Sequence, residues 1–156
     1  MSKSKDQTKT RVLNWLDEEG RSPTKMDDSL SELNISIALI ENEGINVVFR
    51  KDKRDSVYIT AQISFLPLDT QAFSKLSHDR KKLFTDELNY TLILMNVDYG
   101  LFPDSIDLKS VRISKAIYFD ALTKDKFFET ILLIKRAAKI AKWCIRKHLG
   151  QKGSTS

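Results

Sequence analysis

The stretch Val57-Tyr58-Ile59-Thr60-Ala61-Gln62-Ile63-Ser64-Phe65 decides the fold. Val57, Ile59, Ala61, Ile63 and Phe65 are apolar, while Tyr58, Thr60, Gln62 and Ser64 occupy the alternate places. Side chains of a strand point to opposite faces with a period of two, so this stretch reads as a strand with one face in a core and the other in water. Upstream, Ile45, Val47 and Phe49 alternate in the same way, as do Leu33, Ile35, Ile37 and Leu39. The connections are short: Asn42-Glu43-Gly44 is a turn signal, and residues 51–55 form a highly charged turn. Strands joined so closely pair antiparallel, which predicts a three-stranded meander ended by Pro67.

On either side the period changes. Val12, Leu13 and Leu16, with Trp15 beside them, fit a short amphipathic helix over residues 9–19, stopped by Gly20. Glycine is the residue that best adopts the left-handed conformation ending many helices. Residues 21–31, with Pro23, Asp27, Asp28, Ser22, Ser29 and Ser31, read as a loop. Downstream, Leu83, Phe84, Leu88, Thr91, Leu92 and Met95 recur at helical spacing, predicting a helix over residues 77–96. Ser77 suits its N-cap, and Asp79 suits the positive end of its dipole. Gly100, Pro103 and Asp104 break the chain, so residues 99–108 read as irregular or briefly extended. Val111 and Ile113, extended by Ile117 and Phe119, suggest a further strand. A long helix over residues 125–149 then buries Phe127, Ile131, Ile134, Ala138, Ala141 and Ile145.

The expected fold is therefore α+β: an antiparallel meander sheet of about five strands with helices packed on it, in the order α-β-β-β-α-β-β-α. Residues 9–149 are expected to form one domain, between flexible tails at 1–8 and 150–156. The length of 156 residues is enough for one real core.

That element order carries a resemblance. With Val57-Tyr58-Ile59-Thr60-Ala61-Gln62-Ile63 ahead of the middle helix, residues 88–95 within it and residues 127–143 in the last, the chain resembles type III secretion chaperones and their bacterial relatives of the YbjN type. It is also similar to a small archaeal family of uncharacterised proteins. The resemblance covers most of the chain but rests on pattern and element order. It implies a non-enzymatic protein, often dimeric, and the secretion chaperones wrap an extended partner segment around sheet and helices. Those chaperones are usually acidic, whereas this chain has a net charge of +5.

The residues offer little for catalysis. No glycine-rich phosphate loop is present among five glycines, and no His-Glu-x-x-His. One cysteine and two histidines show no metal-ligand spacing, so no metal and no cofactor are expected. Asp52 and Asp55 around Lys53 and Arg54 read as a solvated turn, and Asp27-Asp28, Glu41 and Glu43 as solvated charge. His78 reads as an exposed first-turn residue, His148 as a cation suited to a helix C-terminus, and Cys144 as a small packing group. The chain is expected not to be an enzyme.

Two surfaces remain as binding candidates. Residues 91–95 are apolar on more than one side, and Tyr99, Leu101 and Phe102 follow. A helix apolar most of the way round must bury two sides. Leu92, Met95, Tyr99, Leu101 and Phe102 are thus candidates for contact with a protein partner or a second copy, as a homodimer. The other surface is basic. Residues 124–152 hold nine Lys and Arg against two acids, a local charge of +7 that leaves −2 elsewhere. Within it Lys135, Lys139, Lys142 and Arg146 share one helix face, a candidate for nucleic acid or another polyanion. The single cysteine excludes an internal disulfide and fits a reducing compartment. The opening Met-Ser-Lys-Ser-Lys-Asp lacks a signal peptide's apolar core, and no apolar run approaches the roughly 18 residues of a membrane span. A cytoplasmic protein without membrane contact is expected.

Overall fold

The computed structural model describes residues 4–21, 23–38 and 44–150. Leu39, Glu41, Ser22, the Asn42-Glu43 part of the turn and the tail beyond Gly150 lie outside the described residues.

The elements are α1 (Lys5–Glu18), β1 (Pro23–Lys25), β2 (Ser31–Ala38), β3 (Gly44–Arg50), β4 (Ser56–Ser64), α2 (Pro67–Ser74), α3 (His78–Leu94), β5 (Asp98–Phe102), β6 (Ser110–Tyr118), a 3-10 turn (Phe119–Ala121) and α4 (Lys124–Leu149). The six strands form a sheet in the order β1-β2-β3-β4-β6-β5. The α+β class and the antiparallel meander are as expected: β1, β2, β3 and β4 pair antiparallel in sequence order, with Ile35 opposite Val47 and Val47 opposite Ile59.

Two elements were not expected. Residues 23–25, read as a loop, add β1 to the sheet edge, with Pro23 opposite Ile37. A proline cannot donate to a ladder, so it fits an edge strand, and three exposed residues leave no alternation to read. The second is α2. Pro67 ends β4 as expected but also opens a helix, because at the first helical position its missing N–H is not needed. Asp69 supports that start by accepting a hydrogen bond from Leu66 N at 3.2 Å. The segment expected to be irregular begins with β5.

Helix ends follow the sequence more closely. Helix α1 starts at Lys5, capped by Ser4, four residues before the expected start. It stops where Gly20 turns left-handed at φ 67°. Arg21 N donates to Leu16 O at 2.9 Å and Gly20 N to Asp17 O at 3.0 Å, the pair of bonds that closes a Schellman motif. Ser77 caps α3 as expected, its hydroxyl accepting from Arg80 N at 3.2 Å. At the other end Asn96 takes φ 57°.

By internal contacts the chain divides into two compact units. The first comprises Met1–Ala61 and Ser114–Ile134, the second Gln62–Ile113 and Lys135–Ser156, so β4, β6 and α4 each contribute to both. The first unit buries Val12 and Leu16 of α1, alternate residues of β2 to β4, and Phe119 and Phe127. Trp15 meets Phe127 at 5.8 Å and Phe49 meets Phe119 at 6.2 Å between ring centroids. The second unit buries Phe73, Phe84, Leu88, Leu92, Leu108, Val111 and Ile113. Its centre is a group of aromatic edges: Phe65, Phe73 and Phe84 lie 5.7 to 6.3 Å apart. Such edge-to-face pairs each add about 1 kcal/mol beyond the area they bury.

Candidate functional site

Within the second unit, α3 and the C-terminal part of α4 carry the groups that bear on function. Helix α3 buries Phe84, Thr85, Leu88 and Leu92 along one stripe. The opposite side holds exposed apolar residues: Leu83 is 59% exposed, Tyr90 67%, Ile93 63% and Leu94 68%. Leu83, Tyr90 and Leu94 are spaced i, i+7 and i+11, so they form one outward row. Along it Lys82 and Asp86 close an ion pair at 2.6 Å.

The apolar candidates named from sequence divide differently. Leu92 is fully buried and belongs to the core of its unit. Met95, Tyr99 and Leu101 are half-buried. Phe102 is 40% exposed, with the Arg112 guanidinium 4.7 Å above its ring. Of the basic candidates, Lys135, Lys139 and Arg146 are exposed and Lys142 is half-buried. Sequence reasoning missed Trp143, which is exposed beside them and carries Lys139 Nζ 5.6 Å from its ring centre.

It also missed a cluster. Glu87 of α3 meets Cys144 and His148 of α4, and one ligand-type atom from each lies within 4.8 Å of the others. One Glu87 oxygen accepts from Lys147 Nζ at 2.9 Å, and the other pairs with His148 Nε2. The Lys147 bond, then the His148 bond, hold the Glu87 carboxyl below the usual glutamate range. The Cys144 thiol is pushed up to about 11, first by burial and then by the Glu87 charge. A thiol so placed is protonated at neutral pH, which agrees with its reading as a packing group. The Phe84 ring meets the imidazole edge-on, 5.2 Å between centroids at 89°. His148 thus pairs with a side chain across the unit, besides standing in the last turn of its own helix. The signal available in the sequence was the i, i+4 spacing of Cys144 and His148; Glu87 lies 61 residues from His148 along the chain.

The other ionisable residues singled out from the sequence are surface features. His78 and Asp79 are exposed in the first turn of α3. Asp52 bonds the Arg50 guanidinium at 2.8 and 2.9 Å, which lowers its carboxyl, as suits a solvated turn.

A six-stranded antiparallel α+β fold, with no helix among the described residues long and apolar enough to cross a membrane, sets the class of the protein. The chain belongs to a family described as uncharacterized conserved protein (DUF2299), matched over residues 8–145. It is similar to the crystal structure of an uncharacterized protein from Methanothermobacter thermautotrophicus, with a TM-score of 0.82 and 26% identity over 90% of this chain and 98% of that one. The fold is also that of YbjN, a proposed transcription regulator from E. coli, with a TM-score of 0.51 and 13% identity over 82% of this chain and 86% of that one. No curated protein matches.

Proposed function

We propose that the chain is a non-catalytic protein-binding module, akin in use to the secretion chaperones, that pairs with a second copy of itself through the outward face of α3. The observation that carries this reading is the exposed row of Leu83, Tyr90, Ile93 and Leu94. Scattered exposed apolar residues are ordinary, but four on one side of a helix, interrupted by Glu87, mark a contact surface. A two-fold contact sets a patch against its own copy, so the patch must not repel itself. Lys82 and Asp86 neutralise each other on this face, whereas the face of α4 with Lys135, Lys139 and Arg146 would meet its copy with like charge. The protonated state of the Cys144 thiol supports a binding rather than a nucleophilic role.

Sedimentation equilibrium of the full chain tests it. A dimer at micromolar concentration is expected, converted to a monomer of unchanged helix content by Tyr90→Glu with Leu94→Glu. A monomer at every concentration, or a dimer indifferent to both substitutions, overturns the reading.

A second reading rests on Lys139 lying over the exposed Trp143. A cation beside an aromatic ring suits an anionic polymer whose bases or rings stack, so the basic face of α4 is the alternative docking surface, for nucleic acid or another polyanion. Binding of single-stranded oligonucleotide that weakens with rising salt, and is lost on reversing Lys135, Lys139 and Arg146, is its expected sign.

A further inference from the structure

We propose that Glu87, Cys144 and His148 form a binding site for a divalent transition-metal ion of the zinc or cobalt kind, which on loading ties α3 to α4 within the second unit. The proposal is independent of the self-pairing of α3.

The donor set argues for this class of ion. A thiolate, an imidazole nitrogen and a carboxylate oxygen are ligands of borderline-soft ions, while magnesium and calcium take oxygen donors alone. The thiolate and carboxylate together bring two negative charges, which a divalent ion balances.

The geometry is close to what such an ion requires. Cys144 and His148 are one helical turn apart on α4, and their spacing is fixed by the helix itself. The three donor atoms lie within 4.8 Å of one another. Metal–ligand bonds of 2.0 to 2.3 Å at a tetrahedral angle place donor atoms about 3.5 Å apart. Loading therefore brings the longest separation in by up to about 1.3 Å, while His148 Nε2 and the Glu87 oxygen, now in direct contact, part by about 1 Å to admit the ion, both within reach of side-chain rotation.

The surroundings also suit loading. Lys147 Nζ occupies one Glu87 oxygen at 2.9 Å and leaves the other, which already faces His148 Nε2. That is the place of an outer partner that orients a ligating carboxylate. The Phe84 ring edge holds the imidazole plane. Cys144 is buried, while the side chains of His148 and Glu87 are 18% and 37% exposed, so an ion reaches the cluster from water. On binding, the ion takes the Cys144 sulfur as thiolate and the thiol proton leaves to solvent. The His148–Glu87 contact is replaced by two bonds to the metal, and a water completes four-coordination.

The test is a titration of the untagged, chelator-treated full chain with Co2+ alone. Expected are the strong visible bands of four-coordinate cobalt and a sulfur-to-cobalt charge-transfer band, both reversed by Zn2+, and a thermal midpoint raised by either ion. Cys144→Ser should abolish the charge-transfer band. Glu87→Gln and His148→Gln, at partly exposed positions, should each keep the wild-type circular dichroism and weaken binding by about tenfold or more. No charge-transfer band at several-fold excess of Co2+, or equal affinity in wild type, Glu87→Gln and His148→Gln, overturns the proposal.

Discussion

Glu32 sits where β2 slips its register against β3, and its carboxylate accepts from Lys9 Nζ at 2.9 Å. Lys5 Nζ lies 3.3 Å from the other oxygen and also donates to Arg50 O at 2.6 Å. The irregularity between Ser31 and Leu33 thus leaves an acid at a place where two cations of α1 reach it. The Lys9 bond, then Lys5, holds Glu32 below its ordinary value of 4.5. A carboxyl lowered by folding stabilises the native state fully above its unfolded value, and that contribution disappears as pH falls through the lowered native value. Chemical denaturation of wild type and Glu32→Gln should therefore show a constant gap in midpoint between pH 7 and 6 that narrows below pH 4. A gap that persists at pH 3 would assign the effect to packing instead of charge.

The end of α1 offers a cleaner test of backbone conformation. A Cβ at Gly20 would meet nothing within 4 Å, so only the left-handed φ of 67° opposes a side chain there. Gly20→Ala should cost about 1 kcal/mol in urea denaturation, with an unchanged slope. Gly20→Asn should cost less, because asparagine tolerates this conformation. Equal costs would mean that α1 ends by some other means.

These cases show what was legible in the sequence. Strong period-two runs gave β2, β3 and β4, because a half-buried strand writes its two faces directly into the chain. Ser77 and Gly20 marked helix ends because capping is local chemistry. Strand β1 escaped because it is exposed throughout, so no alternation marks it, and its ladder to β2 is not written in the local pattern. Helix α2 escaped because Pro67 ends a strand and starts a helix with the same ring. At the candidate surfaces, the run Thr91-Leu92-Ile93-Leu94-Met95 correctly signalled two apolar sides, but composition does not say which residue faces which. The structure turns Leu92 inward and Ile93 and Leu94 outward. Tyr90 and Leu83 join that outer row across Glu87, whose charge broke the apolar pattern. The Glu87–Cys144–His148 cluster depends on α3 meeting α4, which no local pattern records.

Phe84 is the point where the core of the second unit meets that cluster. It is fully buried, and it touches Phe65, Phe73 and the His148 ring edge-on. Phe84→Ala removes these contacts and leaves a cavity, at a cost of about 3 to 5 kcal/mol. In the monomeric background of Tyr90→Glu with Leu94→Glu, Leu83→Ala, one residue away but 59% exposed, should change stability by less than about 0.5 kcal/mol. Guanidinium denaturation of the two variants checks the contrast; similar losses would mean that Leu83 packs within its own chain.

Cys144 is buried, and its thiol is pushed up to about 11, with burial the first cause and the Glu87 charge the second. At pH 7.5 only on the order of one thiol in a thousand would be ionised, since the thiolate fraction falls tenfold per unit below the pKa. With chelator present, iodoacetamide should therefore modify native Cys144 at least about a hundredfold more slowly than the chain unfolded in guanidinium. Because burial outranks the neighbouring charge, Glu87→Gln should leave the native rate within a few-fold of wild type. A rate that rises toward the unfolded value in Glu87→Gln would show that the carboxylate, and not burial, keeps the thiol protonated.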